Sequence, residues 1–281
     1  MKWFRPKQVS VPVLTYHSIN IDANTYAQND HIAFAEDLRT IDRLGMKVIP
    51  LQVVVDWNQG KLPDSAVEGG VALTLDDGTS FDFFSIEHPT CGMQTGMFRL
   101  LEEFRNEVGV NRQPALHVSS FVIVSPAARE ELDRKNMVGK SWWGDDWWRE
   151  AQSSGLMSIE CHSWDHNHPT LDQVAQQDNR SGDFRLIASF EDCQAQLDQA
   201  GEYIEKVAGY RPRYFAYPWG QSSDYLRQDY LPNQQNQHRF EAAFSIDAEP
   251  VTKRSDRWFL PRYVCGRDWQ SPEQFEAILK A

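Results

Sequence analysis

The sequence predicts an α/β barrel, a mainly parallel sheet that closes on itself with helices packed outside. Three observations carry this. Short apolar runs rich in β-branched residues alternate with segments whose apolar residues recur at helical spacing, and strands joined through helices pair in parallel. Seven or eight such runs occur in one chain, which favours a closed barrel over an open sheet. Reactive side chains fall just after these runs, and in a parallel barrel the carboxyl ends of the strands share one face.

The elements follow in order. Val11-Pro12-Val13-Leu14-Thr15-Tyr16 reads as the first strand. A helix is expected over 32–44, with Phe34, Leu38, Ile41 and Leu44 on one face, Asp30 as its cap and Gly45 as its stop. Lys47-Val48-Ile49 and Val71-Ala72-Leu73-Thr74-Leu75 are strands, 96–107 is helical, and further strands lie within 116–124 and at 158–161. A long helix covers 190–208. Tyr214-Phe215-Ala216, Ala242-Ala243-Phe244 and Trp258-Phe259-Leu260 supply three more strands, and 272–279 ends the chain as a helix. Two stretches exceed a minimal barrel and read as long loops over one rim, at about 80–96 and 136–150. No internal repeat or low-complexity block divides the chain, so residues 1–281 form one domain.

Composition narrows the function classes. The 281 residues are 41% hydrophobic and 24% charged, which fits a globular protein. A formal charge of −12 disfavours phosphate backbones and anionic membranes, so no nucleic acid partner is expected. No apolar run is long enough to span a bilayer. The basic start Met1–Lys7 is not followed by an apolar stretch, so no secretory leader is read and a cytoplasmic location is expected. Cys91, Cys161, Cys193 and Cys265 are scattered, with no C-x-x-C pair, and suggest neither a disulfide framework nor a zinc ribbon.

The polar residues at the strand ends carry the chemistry. His17 follows the first strand by one residue; Asp76 and Asp77 directly follow Leu75; His162 ends the strand from Ser158. Pro218-Trp219-Gly220 follow Ala216, Asp247 follows Phe244, and Arg262 follows Leu260. Adjacent carboxylates at Asp76-Asp77-Gly78 suit either a turn or a divalent cation, with one Asp binding it and the other free as a base. His162 and His166 lie four residues apart and can chelate one ion. With Asp77 they form a His-His-Asp set that leaves a position open for water, as catalytic zinc does, though iron, manganese, cobalt or nickel would also suit it. His168 lies just beyond and competes with His166.

These residues resemble a known family. Thr74-Leu75-Asp76-Asp77-Gly78 is similar to the T-F-D-D-G motif of polysaccharide deacetylases (the NodB-homology group, carbohydrate esterase family four). His162-Ser163-Trp164-Asp165-His166 matches its H-[ST]-x-x-H motif, and Tyr214-Phe215-Ala216-Tyr217-Pro218-Trp219-Gly220 resembles its F-R-P-P-Y-G motif. The resemblance implies a distorted (β/α)7, TIM-like barrel that removes N- or O-acetyl groups from sugars with one divalent metal, usually zinc. By motif position, Asp77, His162 and His166 would hold the metal and Asp76 would be the general base. The backbone N–H of Trp219 would face the oxyanion, and Trp164, Tyr217 and Pro218 would contact substrate.

The departures matter as much. The family's base-orienting arginine is replaced by Ala216; Arg262, Arg211 or Arg213 could take its place. The late L-x-H motif is missing, its stretch reading Leu260-Pro261-Arg262-Tyr263-Val264. Leu14-Thr15-Tyr16-His17-Ser18 instead resembles the opening of a circularly permuted branch, the deacetylases of poly-N-acetylglucosamine, which makes His17 the candidate general acid. Asp247 resembles a residue that steadies the site from behind, and His168 is assigned a similar supporting place. Trp142, Trp143, Trp147 and Trp148 suit either a sugar-binding rim or a buried mini-core, the latter for at least two of them. The expected substrate is an acetylated sugar or a small amide. A cyclic amide or imide hydrolase and a carbohydrate-binding barrel without turnover are the alternatives.

Overall fold

The computed structural model describes residues 9–281; the basic start on which the leader reading rests lies outside the described residues. Its strands are β1 (Val13–Tyr16), β2 (Lys47–Val48), β3 (Gly70–Leu75), β4 (Ile86–His88), β5 (Gly92–Gln94), β6 (Val118–Val122), β7 (Met157–Cys161), β8 (Tyr214–Ala216), β9 (Ala242–Phe244) and β10 (Tyr263–Val264). The main sheet runs β10-β1-β3-β6-β7-β8-β9, every pair parallel, with β2 also on β3. It curls into a half-barrel with helices outside, matching the distorted (β/α) barrel the sequence led us to expect.

Every residue of β1, β3, β6 and β7 is buried. That is why these strands read as unbroken apolar runs instead of alternating ones. Outward residues such as Leu14, Tyr16, Leu73 and Leu75 pack with helix residues Phe34, Leu38 and Ile41 in the larger core. Inward residues such as Val13, Ala72, Phe121, Ala216 and Phe244 form the second core, inside the sheet's curl.

The expected strand at Trp258–Leu260 is reduced to one bridge, in which Leu260 N–H donates to Ala243 O and Leu260 O accepts Ser245 N–H, both at 2.8 Å. Pro261 has no N–H to extend the ladder. Beyond Arg262, Tyr263 and Val264 pair with β1 instead. The 260–264 segment therefore touches both ends of the curled sheet.

The first long helix spans Asp30–Arg43, and its cap is Asn29, whose side chain accepts from His31 N–H, not Asp30. Asp30 is drawn away because its carboxylate accepts His17 N–H at 2.7 Å. The loop at 80–96 contains the antiparallel β4–β5 hairpin. In the 136–150 loop, Trp147 and Trp148 are fully buried, as the mini-core reading expects. Helix Pro126–Asn136 was not read from the sequence, although Ser125 caps it and proline occupies its first turn. No helix among the described residues is long and apolar enough to cross a membrane.

Candidate active site

Asp76 and Asp77 leave β3, and the turn they open needs Gly78. Gly78 has φ +72°, and a Cβ there would lie 2.8 Å from the Val122 backbone. Asp77 itself sits at φ 74°. Ser163, His166, Asn167 and Trp219 are also left-handed, so five of the eight described non-glycine residues with positive φ belong to this site. Such residues cost about 1–3 kcal/mol each and persist only where the surroundings hold them.

A cavity at the carboxyl rim is lined by His17, Asp76, Asp77, His162, His166 and His168, with Trp143, Tyr217, Trp219 and Arg267 completing its wall. One ligand atom from each of Asp77, His162 and His166 lies within 4.8 Å of the others. Asp77 Oδ1 is 3.7 Å from His162 Nε2 and 3.9 Å from His166 Nε2. These three atoms stand close enough together that one divalent ion could be held among them. His162 Nδ1 lies 2.8 Å from Ala216 O, which can only accept. That fixes the hydrogen on Nδ1 and turns the Nε2 lone pair toward the cluster. Burial lowers the pKa of both imidazoles, that of His166 well below its ordinary value, so both are neutral as ligation requires. The donor set fits a divalent ion of the zinc, iron, manganese, cobalt or nickel group.

His168 stands apart from this set. Its Nδ1 accepts Thr170 N–H at 3.2 Å, so in the neutral ring its Nε2 carries the hydrogen. It lines the cavity mouth beside Trp219, with ring centroids 6.0 Å apart.

Asp76 is buried, and its Oδ2 lies 4.0 Å from His162 Nε2. Arg262 grips it at two points, Nη1 to Oδ1 at 2.7 Å and Nη2 to Oδ2 at 2.8 Å. Arg262 Nε donates to Ser245 O and Nη1 also to Thr74 Oγ1. Burial alone would raise the Asp76 pKa; the Arg262 charge, then His162 and the Arg262 hydrogen bonds, outweigh it and hold the carboxyl below its ordinary range. Of the three arginines open to this place, only Arg262 reaches it. Arg211 turns to Gln237 O and His238 O, and Arg213 forks onto Glu241 at 2.7 Å.

His17 faces the cavity from β1's end; its Nδ1, like that of His166, is buried with no partner among the described residues. The Trp219 ring stands edge-on to His166 at 4.4 Å.

Three expected residues, Asp247, Trp164 and Pro218, are placed otherwise, and a fourth, Tyr217, reaches the cavity without offering its hydroxyl. Asp247 is exposed, because the chain turns outward after Ser245; the support from behind comes from the Ser245 carbonyl instead. Trp164 packs against Tyr203 and does not line the cavity. Tyr217 forms part of the wall, but its hydroxyl is committed to Trp258 O at 2.7 Å. Pro218 is buried and does not line the cavity.

Sequence reasoning missed one contact of weight. Trp143 Nε1–H donates to Asp77 O at 3.0 Å, so the aromatic loop is fastened to the turn that carries Asp77. Asp133 anchors the loop's start by accepting Ser141 and Trp142 N–H, both at 2.9 Å.

Residues 112–235 match the polysaccharide deacetylase family. No curated protein matches the chain. Among solved structures, a Streptococcus pyogenes deacetylase in complex with acetate aligns with a TM-score of 0.64 at 17% identity, covering 98% of this chain and 100% of that one. A polysaccharide deacetylase from Bacillus cereus gives 0.63 at 16%, covering 97% and 69%. IcaB from Ammonifex degensii gives 0.58 at 18%, covering 96% of each. At these identities the structures speak for the fold. Together with the family match, they bear out the resemblance read from the motifs.

Proposed function

We propose that this relative of the polysaccharide deacetylases is a metal-dependent hydrolase that removes acetyl groups from an N- or O-acetylated carbohydrate. The observation that carries the reading is the ionised, buried Asp76 standing beside the Asp77–His162–His166 cluster and clamped by Arg262. A site that only holds a metal has no use for a second desolvated carboxylate at its edge, whereas hydrolysis needs a base there.

A divalent ion held by Asp77, His162 and His166, zinc by first expectation, would polarise the acetyl carbonyl and bring the pKa of a nearby water toward ~7. Asp76 takes a proton from the attacking water as its oxygen bonds to the carbonyl carbon. Arg262 keeps the base ionised and aimed. The Trp219 N–H faces the oxygen that becomes negative, a contact typically worth ~3–4 kcal/mol. His17, across the cavity, gives a proton to the departing amine or alcohol as its bond to carbon breaks. Acetate and the freed sugar remain.

The test is acetate release from chitooligosaccharides, acetylated xylan, peptidoglycan fragments and small amides, beside ring opening of cyclic amides, after reconstitution with zinc, cobalt or manganese. Release from at least one saccharide is expected. Turnover confined to cyclic amides would replace this reading with that of a cyclic amide hydrolase. Saccharide binding without release would make the barrel a binding module.

A further inference from the structure

The helix that runs from Phe190 to Ala208 contains one widened turn, a π-turn over Gln194–Asp198, where Gln199 N–H bonds back to Gln194 O. Such turns strain the helix ladder and recur at functional sites. At its centre Gln196 is fully buried, and its polar groups reach the loop between His162 and His166. Its carbonyl accepts Trp164 N–H at 2.9 Å. Its Nε2 donates to Asp165 Oδ1 at 2.6 Å, and its Oε1 accepts Asp165 N–H at 3.4 Å. Asp165 passes the restraint on, accepting Asn167 N–H at 2.8 Å and Ala175 N–H. His166 is therefore flanked on both sides by residues held in this network.

The loop requires such a hold. Ser163, His166 and Asn167 have φ of 69°, 63° and 46°. Left to itself, a loop with three left-handed non-glycine residues would relax, and His166 would swing away from Asp77 and His162.

We infer that Gln196 is a positioning residue for the His162–His166 pair, presented by the π-turn and setting how tightly the site binds its metal. This rests on the metal-dependent reading above. Removing an outer partner that orients ligands typically weakens metal binding 10–100-fold.

The experiment measures zinc affinity by chelator competition, and the visible absorption of the cobalt-loaded protein, in wild type, Gln196→Met, Gln196→Glu and Tyr230→Phe. Tyr230→Phe is the control: it deletes a buried hydrogen bond to Asp198 in the same π-turn, 2.8 Å long, without touching the histidine loop. The expected result is affinity about 10-fold or more weaker, with an altered cobalt spectrum, in both Gln196 variants, and wild-type affinity in Tyr230→Phe. Equal losses in all three variants, or wild-type affinity in the Gln196 variants, would overturn the inference. So would failure of both Gln196 variants to fold, since Gln196 would then be a requirement of the helix itself. Wild type that binds no more zinc than Asp77→Ala would bring down the metal reading first, and this inference with it.

Discussion

Arg262 and Asp76 close on each other as a two-point fork inside the curl of the sheet, at 2.7 and 2.8 Å, with both side chains buried. The geometry depends on the broken strand at Trp258–Leu260: Pro261 ends the Leu260 bridge, and the next residue turns its guanidinium inward over Phe121. Arg262→Lys cannot reproduce the fork. It is expected to lower kcat/KM by about 10–100-fold and to move the acid limb of the pH–rate profile upward, because burial then raises the Asp76 pKa with less opposition. Arg262→Ala strands a buried carboxylate and should cost about 3–5 kcal/mol in denaturant unfolding. The sign follows from the depressed pKa: the pair's stabilisation is present above the ordinary carboxylate pKa and is lost as pH falls through the Asp76 value. An unmoved acid limb in Arg262→Lys would count against Asp76 as the base.

Metal content separates the two adjacent carboxylates and the two competing histidines. Wild type is expected to carry one equivalent of a transition metal, measured by elemental analysis of the purified protein. Asp77→Ala and His166→Ala should lose it, whereas Asp76→Asn and His168→Ala should keep it. Asp76→Asn should also release no acetate. Full occupancy in His166→Ala with loss in His168→Ala would reverse the ligand assignment.

Much of this was legible because parallel strands buried on both faces leave unbroken apolar runs, and the reactive residues stand directly behind them. Leu75-Asp76-Asp77-Gly78 is the clearest case. What the sequence could not give was direction. Three arginines were candidates for the place beside Asp76, and only the register of 260–264 separates Arg262 from Arg211 and Arg213. The motifs place Trp164 in the cleft, yet a large aromatic is buried wherever it finds partners, here Tyr203; Tyr217 does reach the cavity wall, but its hydroxyl turns to the Trp258 carbonyl. Asn29 and Asp30 are both good caps one residue apart, and His17 N–H decides between them. Contacts made through backbone carbonyls, such as Ala216 O and Ser245 O, leave no trace in residue type.

Trp143 offers a test of whether the aromatic loop tunes the site. Its indole N–H makes the contact to Asp77 O, and Phe keeps an aromatic ring but has no such donor. Trp143→Phe is therefore expected to cost about 1–2 kcal/mol of stability and to weaken zinc binding several-fold, read by chelator competition. Wild-type affinity with lowered stability would confine Trp143 to packing.

Asp82 gives the protein a pH-dependent stability distinct from its chemistry. It is fully buried and receives the hydroxyls of Ser18 and of Ser120, so it ties the loop after His17 and the loop after Asp77 to β6. The two donated hydroxyls favour the ionised carboxyl and pull its pKa down, but they do not decide its state. Burial does, and with a smaller push from Asp77 it raises the pKa to about 7. The folded state thus holds this proton more tightly than the unfolded chain, whose Asp titrates near ~3.9. The contribution is fully present below ~4 and is lost as pH rises toward 7. Asp82→Asn removes the titration but keeps the shape. Its stability relative to wild type should therefore rise with pH, by on the order of 1–3 kcal/mol between pH 5 and 8. Urea unfolding of the metal-free proteins at several pH values measures this, and a difference that stays constant across the range would place the Asp82 pKa in the ordinary range.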